Sequence, residues 1–327
     1  MVRWRALTAA VAAGMVGAAA GEVRAADARA VATVAMIGDV ARNVAGDCVE
    51  IETLMGPGVD PHLYQASAGD VRLFQRADAI LYAGYSLEGQ LGEVLDRLGE
   101  RQLTVAVGPA SIDPGDLITT QDIYGIDPHL WMDVSLWSEI APTIVDTLSE
   151  VAPDCTAAMR TDLETYRGEL AALHDWIAAS VASIPEERRV LVTAHDAFAY
   201  YGRAYGIEVR GIQGISTEAE AGIKDIRDVV DLVVELGVPA VFVETTINPR
   251  TIQAVIDAAA DRGHDLQLGG ELFSDAMGAP GTAEGTYIGM LHANTRRIVT
   301  ALGGEPAAWP PALDAWAERF GVETARR

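Results

Sequence analysis

The chain is short of the residue types that would place it in several large functional classes. Of its 327 residues only 24 are Lys or Arg, against 47 Asp or Glu, which leaves a formal charge of −23. A surface this acidic repels phosphate backbones and anionic lipid headgroups, so nucleic acid and membrane surfaces are excluded as partners. Cysteine is almost absent, with Cys48 and Cys155 alone, and neither has a Cys or His neighbour at ligand spacing, which removes a cysteine-based metal site. Beyond the N-terminus no apolar run is long enough to span a bilayer. No His-Glu-x-x-His and no Gly-x-Ser-x-Gly occurs, so two common hydrolase signatures are missing. There is no low-complexity tract and no histidine-rich stretch.

The first residues form an export signal. Arg3 and Arg5 supply a positive start, Ala6 to Ala20 a short apolar stretch, and Val23-Arg24-Ala25 a small-residue cleavage position, with Ala26 as the mature start. No cysteine lies near the cut, so a soluble periplasmic protein is expected rather than a lipid-anchored one. An oxidising compartment permits a disulfide between Cys48 and Cys155. The sequence leaves that pairing open, and their places, at a strand edge and a helix start in separate segments, favour two unpaired thiols.

Apolar runs alternate with helical patterns. Strands are expected over 31–37, 49–54, 79–83 and 103–107, with helices over 68–76 and 87–98 among them. The scheme repeats with strands over 190–193, 207–212, 240–243 and 266–268 and helices over 224–236, 249–262 and 286–302. Alternation of this kind argues for an α/β protein of two lobes, each a four-stranded, mainly parallel sheet flanked by helices. Between the lobes, Leu163, Tyr166, Leu170, Leu173, Ile177 and Val181 recur at spacings of three and four, which predicts one long helix over 154–183. Pro153 and Pro185 bound it, and Gly168 is its one weak point. The expected organisation is therefore signal 1–25, N-terminal lobe 26–152, linker helix 153–184 and C-terminal lobe 185–327.

Of six histidines, three stand in loops or at strand ends: His62 in Asp60-Pro61-His62, His129 in Asp127-Pro128-His129, and His195 in Thr193-Ala194-His195-Asp196. Asp275, in Phe273-Ser274-Asp275-Ala276, follows the last strand. Imidazole and carboxylate are the ligands that Zn²⁺ takes and Mn²⁺ accepts. In open α/β sheets ligands bind at the carboxyl ends of strands, so two lobes facing each other would contribute two ligands each to one ion. In each Asp-Pro-His the proline stiffens the backbone that presents the imidazole. Asp60 and Asp127 are then candidate acceptors for imidazole N–H groups. Glu244, at the end of a buried strand, is a further candidate near the ion, as a substitute ligand or an outer group. Asp196 is expected at a helix N-terminus, and His174, His264 and His292 in structural roles.

Gly58-Val59-Asp60-Pro61-His62, Asp127-Pro128-His129-Leu130-Trp131-Met132-Asp133, Thr193-Ala194-His195-Asp196-Ala197-Phe198 and the segment from Gly269 to Gly278 resemble the solute-binding proteins of zinc/manganese ABC importers. The match is to the TroA-like branch and runs over nearly the whole mature chain. The resemblance implies two lobes bridged by one rigid helix and a metal between them held by His62, His129, His195 and Asp275. It also implies an ABC permease as partner, a monomer, and a transported ion rather than a catalytic cofactor. Many manganese-specific members have Glu where this chain has His195. Many zinc-specific members carry a histidine-rich loop where residues 112–126 of this chain have none. The ion is thus Zn²⁺ or Mn²⁺, with Fe²⁺ open, and three nitrogen ligands lean towards Zn²⁺. The competing readings are a secreted metal-dependent hydrolase, which would keep an open coordination position, and a surface adhesin of the same fold.

Overall fold

A computed structural model describes residues 28–120 and 125–324. The export signal and its cleavage position lie outside them. The first half contains β1 (Ala28–Ala32), α1 (Ala35–Ala45), β2 (Val49–Thr53), α2 (Ala68–Arg76), β3 (Ala79–Tyr82), α3 (Gly92–Gly99) and β4 (Leu103–Ala106). The four strands form one parallel sheet in the order β2-β1-β3-β4. The expected first strand, 31–37, is divided. It ends at Ala32, and Met36 and Ile37 belong to α1. An apolar run is compatible with a buried strand or a buried helix, and α1 is buried on nearly every side. The start of α2 is set locally: Ser67 accepts from the Gly69 and Asp70 N–H groups, and Asp70 accepts back from the Ser67 N–H.

Three helices follow: α4 (Val107–Ser111), α5 (Val134–Ser138) and α6 (Ile140–Val151). Then comes α7 (Thr156–Ala182), 27 residues preceded by a single 3₁₀ turn, Pro153–Cys155. At 1.5 Å per residue it is about 40 Å long. Its expected apolar face is buried throughout, and it runs unbroken through Gly168. Along its length α7 packs on α1, α5 and α6 of the first half.

The second half contains β5 (Val190–His195), α8 (Ala199–Tyr205), β6 (Glu208–Gln213), α9 (Ile223–Leu236), β7 (Ala240–Glu244), α10 (Arg250–Asp261), β8 (Gln267–Leu272), α11 (Tyr287–Ala301) and α12 (Asp314–Phe320). Both α8 and α11 pack on α7, so the linker helix holds the two lobes together. The strands form two parallel pairs, β5–β6 and β7–β8, with β5 lying against β7. At the C-terminal end of that seam the Glu244 side chain, rather than a backbone carbonyl, accepts the His195 N–H at 2.8 Å. The β7–β8 register shifts between Val241 and Phe242, where the Phe242 ring covers Gly269 so closely that a Cβ there would lie 2.5 Å from it.

One apolar core runs from β1 through α7 to α11 and α12, and a second lies between β5, β6, β7, α9 and α10. Cys48 and Cys155, expected to be separate thiols, form a disulfide with Cα atoms 6.1 Å apart. It fastens the start of β2 to the turn that opens α7. With 107 residues between the two cysteines, no local pattern signals that approach.

Candidate metal centre

The carboxyl ends of the strands from both lobes converge on one point. His62 sits in the loop after β2, and His129 begins a 3₁₀ turn, Leu130–Met132, in the segment between α4 and α5. His195 is the last residue of β5, and Asp275 lies in the loop after β8. None of the four is more than 2% exposed. One ligand atom from each lies within 4.8 Å of those of the other three. His62 Nε2 is 3.4 Å from His129 Nε2 and 3.7 Å from Asp275 Oδ2. Asp275 Oδ1 is 3.3 Å from His129 Nε2, and Oδ2 is 3.2 Å from His195 Nε2. Bonds of about 2.0–2.2 Å to a tetrahedral ion would separate the ligand atoms by about 3.3–3.6 Å. The arrangement is therefore of the size that one such ion requires.

Two imidazoles are held from behind by carboxylates. Asp127 Oδ1 lies 2.7 Å from His129 Nδ1 and also accepts the His129 backbone N–H at 3.0 Å. Glu244 Oε2 lies 2.5 Å from His195 Nδ1. Glu244 is thus placed behind a ring, in the outer of its two expected positions. Such partners fix the ring so that Nε2 faces the ion, and they strengthen it as a donor. Asp60 acts differently from expectation. Its Oδ1 accepts the backbone N–H of His62 at 2.9 Å and its Oδ2 accepts the Thr217 hydroxyl at 2.6 Å. Asp196 is not in a helix first turn, because α8 begins at Ala199 after Phe198. It instead packs against the backbone of Gly211, leaving no room there for a Cβ.

Charge is tightly balanced at this site. Burial pushes the Asp275 carboxyl up, but the His195 and His129 rings overcome it and hold the group well below the usual carboxylate range. Burial lowers His129, and Asp127 and Asp275 together raise it past that effect to about 9. For His195 burial is likewise outweighed, by Glu244 and Asp275, and the ring is raised well above its ordinary value. His62 is lowered by burial to about 3 and stays neutral. Three carboxylates, Asp127, Glu244 and Asp275, thus surround three rings. They are balanced by protons on His129 and His195 or by one divalent cation. Neither oxygen of buried Asp275 has a donor in hydrogen-bonding geometry among the described residues, a state that a cation relieves.

Several supporting residues carry no signal in the sequence. Trp131 Nε1 donates to the Ser274 carbonyl at 2.9 Å, and Tyr287 OH donates to the Trp131 carbonyl at 2.7 Å. Tyr200 OH donates to the Asp127 carbonyl at 2.9 Å. These bonds tie the His129 segment of one lobe to the Asp275 loop, α11 and α8 of the other. Buried Glu88 accepts from the Thr33 hydroxyl and the Ala83 and Gly84 N–H groups. It thereby holds the turn in which Gly89, at φ 48°, lies directly against the His62 carbonyl. His174, His264 and His292 stand outside the cluster, against Tyr205, the Val238 carbonyl, and Trp176 with Trp309.

Comparison with known proteins gives one consistent picture. The family model described as ZnuA, zinc-uptake complex component A periplasmic, matches residues 30–301. The chain is 44% identical over 271 residues to the manganese-binding lipoprotein MntA of Bacillus subtilis, covering 83% of this chain and 88% of that one. It is also 44% identical over 272 residues to the zinc-binding protein TroA of Treponema pallidum, with the same coverage. The structure of the periplasmic zinc-binding protein TroA from Treponema pallidum superposes with a TM-score of 0.82, covering 84% of this chain and 99% of that one.

Proposed function

The chain belongs to the ZnuA family of periplasmic zinc-uptake components, and we propose that it captures Zn²⁺ or Mn²⁺ between its lobes and delivers the ion to an ABC permease. In this reading His62, His129, His195 and Asp275 are the ligands, the lobes are 26–152 and 185–327, and 153–184 is the link between them. The observation that carries it is the convergence of four buried donor atoms from four separate segments at the spacing of one tetrahedral ion. Relatives named for zinc and for manganese are equally similar, so identity alone does not separate the two ions. Three imidazole nitrogens favour Zn²⁺ in intrinsic affinity, and the supply of each ion outside the inner membrane then decides which one is carried.

Four protein ligands close the shell, which suits carriage. A catalytic zinc keeps a position for water, so the protein acts as a binding component and not as a hydrolase. It works as a monomer in the periplasm, and its acidity attracts the cation while repelling nucleic acid. Titration calorimetry of the metal-free protein tests the ligand set. One ion is expected per chain, and His62→Ala and Asp275→Ala should each weaken binding at least a hundredfold. Unchanged affinity for both ions in both variants would refute the assignment.

A further inference from the structure

The loop 214–222, between β6 and α9, touches both sides of the cleft. Gln213, the last residue of β6, is the register partner of His195. Its side-chain amide donates to the Thr217 carbonyl at 3.1 Å and the Ala219 carbonyl at 2.6 Å, folding the loop back onto the strand end that carries that ligand. From there the Thr217 hydroxyl reaches the opposite lobe and donates to Asp60 Oδ2 at 2.6 Å. The other oxygen of Asp60 holds the His62 N–H. Ile215 and Thr217 are buried, whereas Glu218, Ala219 and Glu220 are exposed, so the loop has an inner face on the cleft and an outer face towards solvent.

We infer that loop 214–222 is a strap across the cleft and that Thr217 is a positioning residue for His62, acting through Asp60 to slow release of the ion. The inference rests on the metal-capture reading above. Both oxygens of Asp60 are engaged, one within its own loop and one across the cleft. Pro61 stiffens the single residue between Asp60 and His62. Any tilt that parts the lobes at this edge must break the Thr217 bond, and Asp60 is then free to turn away from the His62 N–H. Lifting the strap and loosening one ligand are therefore a single event. An ion entering an already open cleft meets no such bond, so the effect falls on departure and not on arrival.

The test is stopped-flow release of Zn²⁺ from the loaded protein into excess chelator, with the association rate measured separately. Thr217→Val keeps the shape and removes the hydroxyl. It should release Zn²⁺ about tenfold faster, with association within about twofold of wild type and one ion still bound per chain. Thr217→Ser restores the hydroxyl and should release at the wild-type rate, a rescue that a packing role for the methyl group would not produce. Wild-type release from Thr217→Val, or equally fast release from Thr217→Ser, overturns the strap while leaving the capture reading intact. A wild-type protein that takes up neither Zn²⁺ nor Mn²⁺ overturns the capture reading and the strap together.

Discussion

At the scale of single residues, the three histidines are chemically unequal although the sequence presents them alike. His62 has burial as its dominant influence and stays neutral, whereas His129 and His195 are each flanked by two carboxylates. An unperturbed imidazole titrates near 6.5, and on that basis the affinity for metal would begin to fall at about pH 6. The folded, metal-free site holds its protons more tightly. His129 is raised to about 9 and His195 also lies well above the ordinary value, so the ion must displace protons across the whole neutral range. Affinity should therefore decline with falling pH from about 9 downward. Calorimetry in buffers of differing ionisation enthalpy should count close to two protons released per ion at pH 7.5. A count near zero would contradict the balance of charges described here. The sign for stability is the opposite. Raised folded-state values stabilise the metal-free protein fully below about pH 6.5, and that contribution is lost as pH rises through 9.

At the scale of elements, most helices and strands were legible because their signals are local. The apolar spacing of α7 and the capping pair Ser67 and Asp70 of α2 are carried by neighbouring residues, and the expected spans agree closely with those observed. The boundary between β1 and α1 was not legible, since one apolar stretch serves both. Nor was the Cys48–Cys155 disulfide, which depends on two elements meeting in space. It closes a loop of 107 intervening residues. In the chain-entropy account a loop of about 100 residues corresponds to roughly 4–5 kcal/mol. Cys48→Ser with Cys155→Ser should lower the midpoint of thermal unfolding by several degrees. Neither cysteine belongs to the His/Asp cluster, so the metal stoichiometry should stay at one. Denaturation of the double variant followed by circular dichroism checks the first expectation, and calorimetry the second.

At the scale of the whole molecule, the two lobes are not free bodies. A single apolar core runs through α1, α7 and α11. Buried Asp39 of α1 accepts the Tyr287 N–H at the start of α11 and the Tyr166 hydroxyl of α7, joining both lobes to the linker. Wide hinge opening would expose that core and break these bonds, whereas small tilts and loop movement near the cleft leave them in place. Small-angle scattering should accordingly show radii of gyration for metal-free and metal-loaded protein that agree within about 1 Å. A difference of several ångströms would require the core through α7 to open and would overturn this view of release.

The amino-acid sequence by itself determined the α/β class, the linker helix and the four candidate ligand residues. Periodicity, turn chemistry and ligand type are properties of short segments, and Asp-Pro-His carries its stiffness within three residues. Only the tertiary structure decided which groups stand behind those residues. Asp127 and Glu244 back two rings, Asp60 serves a backbone N–H and Thr217, and Tyr200, Trp131 and Tyr287 tie one lobe to the other. Apart from Asp127 and Asp60 these partners lie far along the chain from the groups they hold. Their contacts exist because packing of the two lobes brings distant segments within hydrogen-bond reach, a condition that no local pattern encodes.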